Sequence, residues 1–255
     1  MRDYQTIRVR IDGPVYTLQI HRPKANNTIN ELMAEECLDF LKSHRDLMRI
    51  LVLEGLPEVF CFGADFQAID ENLSSGEGKG STPEVLYDVW LQLATGPFVS
   101  VAHVRGKVNA GGVGFVAACD IVVADESAVF SLSELLFGLM PACVLPFLIR
   151  RTGFQRAHYM TLMTQPFSVQ QAENWGLVDA WESNSQQLLR KHLLRLRRLS
   201  KTGIERYKRY MNLLNDSLRS GKADALAANF EVFSDHENLA RISRFVDDGT
   251  FPWEA

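Results

Sequence analysis

The sequence predicts an α/β core followed by a helical C-terminal region. Short apolar runs of strand length alternate with helix-period segments over the first two-thirds of the chain, and from Val144 onward helical signals dominate. In addition, two glycine-containing stretches each follow a strand-like run, as turns leaving a sheet do.

The elements follow in order. Residues 6–11 and 15–20 alternate around Asp12-Gly13-Pro14, the pattern of a hairpin. Thr28 and Glu31 have capping-box spacing before a helical stretch reaching about residue 43. Residues 50–53 read as a short buried strand and 55–66, rich in Gly, Pro and aromatics, as a loop. Residues 72–83 are polar and contain glycine, which predicts a mobile loop that could cover a site. An amphipathic helix is expected over 84–93 and a strand over 98–104; residues 106–114 then open a helix running to about Cys119. Two short strands follow at 121–124 and 128–130. Helices are expected over 144–151, 155–163 and 168–175, the last with a Ser168/Gln171 capping box. After a short apolar stretch at 177–180, long basic helices reach the C-terminal region. This predicts a core over residues 1–190 and a helical appendage over 191–255.

Composition excludes several classes. The 255 residues are 46% hydrophobic and 23% charged, enough for a large core and too apolar for a disordered chain. No apolar run approaches the roughly eighteen residues of a membrane span, and the first residues lack the basic-then-apolar order of a signal peptide. Cys37, Cys61, Cys119 and Cys143 are widely spaced without a CxxC pair, which argues against a disulfide framework or a zinc site and for a reducing cytoplasm. The net charge of -4 is uneven. Residues 190–209 hold nine Lys and Arg against one Glu, so the rest of the chain is strongly acidic. Such a segment is either a solvated helix face or a docking surface for something anionic. Nucleic acid is the weaker partner, because the remainder is acidic and no nucleic-acid module is visible.

The two glycine stretches are Phe60-Cys61-Phe62-Gly63-Ala64-Asp65-Phe66 and Val104-Arg105-Gly106-Lys107-Val108-Asn109-Ala110-Gly111-Gly112-Val113-Gly114. The second lacks both dinucleotide-fingerprint and phosphate-loop spacing. Together with His21-Arg22-Pro23-Lys24-Ala25-Asn26-Asn27, Phe130-Ser131-Leu132-Ser133-Glu134, Gly138-Leu139-Met140-Pro141 and residues 168–178, they resemble the crotonase (enoyl-CoA hydratase/isomerase) superfamily over nearly the whole chain. The resemblance implies a spiral core of ββα turns, a helical C-terminal trimerisation and lid region, and homotrimers or hexamers. It implies an oxyanion hole formed by the backbone amides of Ala64 and Gly111, with Ala25, Asn26, Asp65 and Gly112 beside the substrate. It also implies Glu134 as catalytic acid/base. The second glutamate of the family's hydratases falls on Gly114, which carries no carboxylate. A single carboxylate can still take an α-proton and return it to a hydroxyl leaving from the same face.

Within the superfamily the chain is similar to the 3-hydroxy-3-methylglutaryl-acyl-carrier-protein dehydratases of polyketide β-branching cassettes. The strings Ser133-Glu134-Leu135-Leu136-Phe137-Gly138, Pro141-Ala142-Cys143-Val144-Leu145-Pro146 and the tail Phe251-Pro252-Trp253-Glu254 carry that likeness. It implies a 3-hydroxy-3-methylglutaryl thioester losing water, no metal or redox cofactor, and a substrate carried on the phosphopantetheine of an acyl carrier protein or coenzyme A. Arg190 to Arg209 then acquires an acidic carrier protein as a partner. Asn109 could hold the hydroxyl or a water, or could equally stabilise a turn. Cys143 and Tyr87 could line the acyl pocket, although packing is the commoner use of both types. Lys107 and Lys79 are candidates for the distal carboxylate. The alternatives are a general hydratase or isomerase acting on free coenzyme A esters, the decarboxylase of the same cassette, and a non-enzymatic binding module. Gly114 argues against the hydratase, and Glu134 against the other two.

Overall fold

The computed structural model describes residues 3–75 and 83–254. The chain opens with the expected hairpin, β1 (Ile7–Asp12) and β2 (Val15–Ile20), in which Asp12 pairs with Val15 across Gly13 at φ +55. Helix α1 (Glu31–His44) follows. Its cap is Asn30, whose side chain accepts from the Met33 amide at 3.0 Å, and not Thr28 as the spacing predicts. Asn30 is the residue with extended dihedrals directly before the first helical turn, which is what capping requires.

Strands then come in pairs. β3 (Ile50–Glu54) is followed by β4 (Val59–Cys61), β5 (Val99–Val104) by β6 (Lys107–Asn109), and β7 (Ile121–Ala124) by β8 (Val129–Ser131). The first member of each pair joins a six-stranded sheet of order β1-β2-β3-β5-β7-β10, with β10 at Ala180–Trp181. The second joins a four-stranded sheet of order β4-β6-β8-β9, with β9 at Phe167–Ser168. Apart from the antiparallel β1–β2 and β8–β9 pairs, neighbours run parallel. Each strand pair leads into helix: α2 (Phe66–Ser75) and α3 (Pro83–Thr95), then α4 (Gly111–Ala118), then a 3₁₀ turn (Glu134–Phe137) and α5 (Leu145–Thr152). The core is a spiral of ββα turns.

Three elements depart from the sequence reading. β4 lies in the segment expected to be a loop, β6 lies where a helix was expected to open, and α2 runs from the end of that loop through residues 67–71, which carry no assignment, into the start of the next. A three-residue strand is too short to show periodicity, and the partners of these two are about fifty residues away in the chain. Of the expected loop over 72–83, residues 76–82, Lys79 among them, lie outside the described residues.

Helices α6 (Phe154–Met163) and α7 (Val169–Asn174) complete the core, and α7 has the expected Ser168/Gln171 capping box. Then come α8 (Ser185–Leu196), α9 (Lys201–Leu214), the short α10 (Ser217–Ser220), α11 (Lys222–Phe233) and α12 (His236–Asp248). The boundary expected at residue 190 falls inside α8, which covers the outer face of the large sheet with Leu188 and Leu189 against Val15, Ile50, Val52, Val101 and Val123. The start of α8 is tied to that sheet through the buried His103, whose ring bonds Glu54 at 3.0 Å and Ser185 at 2.9 Å. Helix α12 and the tail pack Ile242, Phe245 and Phe251 onto Phe66, Ile69 and Phe137. Among the described residues no helix is long and apolar enough to cross a membrane.

Asn27 links the hairpin to the small sheet. It is fully buried at φ 52, which asparagine tolerates better than most residues. Its amide donates to the carbonyls of Ile20, Val59 and Phe60 at 3.1–3.2 Å and accepts from the Arg22 amide at 2.7 Å. Asn27→Ala strands those carbonyls in the interior and should lower unfolding stability by about 2–4 kcal/mol. Chemical denaturation checks this; an unchanged midpoint would show that water replaces the amide.

Candidate active site

The register of the small sheet gathers the site. Asn109 pairs with Ser131 across β6 and β8, and Val59 and Cys61 of β4 pair with Lys107 and Val108 of β6. The chain therefore leaves three parallel strands at one end: at Phe62–Ala64, at Ala110–Gly111 and at Leu132–Glu134.

At the first exit, Ile29 donates to the Gly63 carbonyl at 2.7 Å and accepts from the Asp65 amide at 3.1 Å. This parallel bridge engages the residues on either side of Ala64, so the Ala64 N–H faces away from it. At the second exit, Gly111 is the first residue of α4, where an amide has no acceptor within its own helix. A Cβ added to Gly63 would lie 3.6 Å from the Gly111 nitrogen and 2.7 Å from the Ala110 Cβ. The Gly63–Ala64 peptide and the Gly111 amide are thus neighbours, brought together by a glycine at φ +92. Ala110 adopts φ 50, ψ −121, a conformation that strains any residue with a Cβ by about 1–3 kcal/mol and that orients the peptide leading into Gly111. Its own amide is anchored on the Ser131 carbonyl at 3.0 Å.

At the third exit, Glu134 begins the 3₁₀ turn. The residue is partly exposed, but its Oε2 is buried without a hydrogen-bond partner among the described residues, and desolvation pushes the carboxyl up to about 7. Two free amides at adjacent turns and a carboxyl poised near neutrality suit proton abstraction beside a carbonyl.

The other expected residues divide. The amide of Asn109 bonds Ser133 at 3.0 Å and accepts from Ser131 at 2.8 Å, so it braces the strand leading to Glu134. Gly112 packs against Cys61, whose carbonyl is 2.3 Å from where a Cβ would stand. Asp65 pairs with Arg22 at 2.9 Å and accepts from the Ala68 amide at the start of α2. Ala25 and the exposed Asn26, at φ 49, form the 3₁₀ turn before Asn27. Tyr87 is enclosed, its hydroxyl donating to the Leu218 carbonyl at 2.6 Å, and burial raises its pKa to about 12. Cys143 is likewise a core thiol, raised by burial to about 12, so it holds its proton at neutral pH. Lys107 is exposed at the start of β6.

Sequence reasoning missed Ser131 and Ser133, which position Asn109, and Trp90 of α3. A Cβ on Gly114 would meet the Trp90 indole at 2.6–2.8 Å, so the ring fills the space where a residue-114 side chain would begin. No spacing in the sequence connects residues 90 and 114.

A family model described as enoyl-CoA hydratase/isomerase matches residues 10–255. The chain is 59% identical over 252 residues to the bacillaene synthase dehydratase PksH of Bacillus subtilis, covering 98% of this chain and 97% of that one. A mevalonyl-coenzyme A hydratase of Aspergillus fumigatus is 32% identical over 168 residues, 65% of this chain and 62% of its own. The crystal structure of a polyketide biosynthesis enoyl-CoA hydratase from Bacillus subtilis superposes with a TM-score of 0.95 at 58% identity, covering 98% of this chain and all of that one. An enoyl-CoA hydratase/isomerase from Acinetobacter baumannii gives a TM-score of 0.86 at 20% identity over 96% of this chain and 100% of its own, a likeness of fold alone.

The burial of Glu134 sets two pH responses. A carboxyl acts as a base only once ionised, so a kcat/KM governed by proton transfer to Glu134 should rise with pH through an inflection near 7. In the unfolded chain the carboxyl ionises near its ordinary 4.5, whereas the fold retains the proton to about 7. Wild-type stability should therefore fall as pH rises from 4.5 to 7, and Glu134→Gln should lack that loss. Rate profiles and melts across this range test both; parallel stability curves for the two proteins would contradict the assigned shift.

Proposed function

The chain belongs to the enoyl-CoA hydratase/isomerase family and is a crotonase-type hydro-lyase, and from that premise we propose that it dehydrates a 3-hydroxy-3-methylglutaryl thioester to the 3-methylglutaconyl thioester on an acyl carrier protein, in polyketide β-branching. The observation that supports the reading is Glu134, whose Oε2 is buried without a hydrogen-bond partner among the described residues, at the same end of the small sheet as the Ala64 and Gly111 amides, with glycine at position 114. The thioester carbonyl accepts from the Ala64 and Gly111 amides. Ionised Glu134 takes the α-proton, and negative charge moves onto the carbonyl oxygen. Two preset donors stabilise that charge most in the transition state; losing one such donor typically costs roughly 3–4 kcal/mol. The enolate then re-forms the carbonyl as the β-carbon–oxygen bond breaks, and Glu134 returns its proton to the departing hydroxyl, releasing water. Two-glutamate hydration of a free coenzyme A ester is disfavoured by Gly114.

The basic segment supports a carrier partner, with fewer cations available than its composition suggests. Lys208 is buried against Asp120 at 2.6 Å. Lys201 donates to the carbonyls of Arg45, Met48 and Pro97 at 2.6–2.8 Å, Lys191 pairs with Glu182, and Arg197 pairs with Asp12. The exposed Arg190, Arg195, Arg198, Arg206 and Arg209 remain to meet an acidic carrier. Exposed Phe154 and Leu162 on α6 and Tyr207, Tyr210, Leu213 and Leu214 on α9 support self-association, which the family resemblance implies as trimers or hexamers.

Incubation with a 3-hydroxy-3-methylglutaryl carrier protein should yield a product lighter by one water, read by intact-protein mass spectrometry. Loss of carbon dioxide, or no change, overturns the assignment. Glu134→Gln should reduce turnover at least about 100-fold. Reversing charge at Arg190, Arg195 and Arg198 together should lower kcat/KM for the carrier-bound substrate about tenfold and leave a coenzyme A ester nearly unaffected. Equal losses on both would remove the docking surface.

A further inference from the structure

Two side-chain polar atoms are buried without a hydrogen-bond partner among the described residues: Glu134 Oε2 and Trp90 Nε1. Interiors rarely leave such groups unpaired, and an orphaned donor costs stability unless something else binds it. The first belongs to the acid/base above. The second has no part in that scheme.

Trp90 is 1% exposed and is held by edge-to-face contacts with Phe115 and Phe147, each at 5.8 Å between ring centres. These fix the indole plane. The edge formed by Cζ2 and Cε2, the carbon bonded to Nε1, abuts the first turns of α4: Cζ2 lies 2.6 Å and Cε2 2.8 Å from an ideal Cβ on Gly114, and Cζ2 lies 3.9 Å from one on Gly111. The N–H edge therefore borders the helix whose leading amide is one of the two free donors, and glycine at 114 is what admits it. A phenylalanine could fill much of this volume. The structure instead holds a donor there with nothing to donate to.

We propose that Trp90 is the second catalytic group of this site, its indole N–H donating a hydrogen bond to the β-hydroxyl of the bound thioester as that hydroxyl departs. The inference rests on the dehydratase reading and deepens it. Trp90 keeps its proton throughout: the α-proton goes to Glu134 and then to the leaving oxygen, while the indole donor stabilises charge building on that oxygen as the carbon–oxygen bond breaks. An indole is too weak an acid to transfer a proton here, so the residue helps a hydroxyl leave without supplying a second acid/base.

Trp90→Phe removes the donor and retains most of the packing. It should lower kcat for dehydration about ten- to hundredfold with little change in KM, since the bond strengthens as charge develops. A purely structural role could also depress kcat, so a second readout is needed. Enzyme labelled with ¹⁵N at the indole nitrogens and carrying Glu134→Gln, which holds substrate unreacted, gives one resonance for each of its 4 tryptophans, and Trp90→Phe assigns the one of interest. The Trp90 N–H resonance should move downfield on binding the 3-hydroxy-3-methylglutaryl thioester and should stay in place with the 3-methylglutaryl thioester, which lacks the hydroxyl. An unmoved resonance, the same shift with both esters, or wild-type kcat in Trp90→Phe overturns the role. A hydroxyl-dependent shift in an enzyme whose wild type does not release water would support the donor while refuting the reaction, so the two ideas can fail separately.

Discussion

Three short parallel strands, β4, β6 and β8, are the constraint on which the site depends. Their pairing makes the chain leave the small sheet at one end three times, and each exit delivers one component: the Ala64 amide, the Gly111 amide and the Glu134 carboxyl. The hydrogen bonds around these components engage the neighbouring backbone groups, and among the described residues they do not take up the Ala64 and Gly111 amides. Ile29 takes up Gly63 and Asp65 and leaves Ala64; the Ser131 carbonyl takes up Ala110 and leaves Gly111. In the proposed reaction, two donors so held need no reorganisation when charge appears on a carbonyl oxygen.

Holding them costs conformational energy. Ala110 sits at φ 50 although it is not glycine, and Gly63, Gly111, Gly112 and Gly114 lie where a Cβ would strike a neighbour at less than 3 Å. Separately, burial raises the Glu134 carboxyl toward neutrality. A base with that affinity for protons can both take one from carbon and surrender it to oxygen.

The C-terminal helices support this corner from outside. Asn238 of α12 donates to the Gly138 carbonyl at 3.1 Å, directly after the 3₁₀ turn that begins with Glu134, and Phe245 and Phe251 pack on Phe137 within the same turn. Ser243 of α12 bonds Asp70 of α2, which begins just beyond Ala64. The helical region thus braces two of the three strand exits.

By itself the sequence determined the α/β class with its helical tail, the hairpin, all but the last strand of the large sheet and the family, because those signals are local periodicity or ordered motifs. Through the family likeness it pointed to Ala64, Gly111 and Glu134 as candidates, and it showed that position 114 carries no carboxylate. Only the tertiary structure decided what surrounds them. β4 and β6 are three residues long and exist through partners far along the chain; Asn109 is tied to Ser131 and Ser133 across two strands; Tyr87 and Cys143 are enclosed; and four of the nine basic side chains of 190–209 are occupied within the fold. Trp90 against Gly114 is the clearest case. A glycine in a sequence records a missing side chain, and only packing between helices shows which other residue has taken its place.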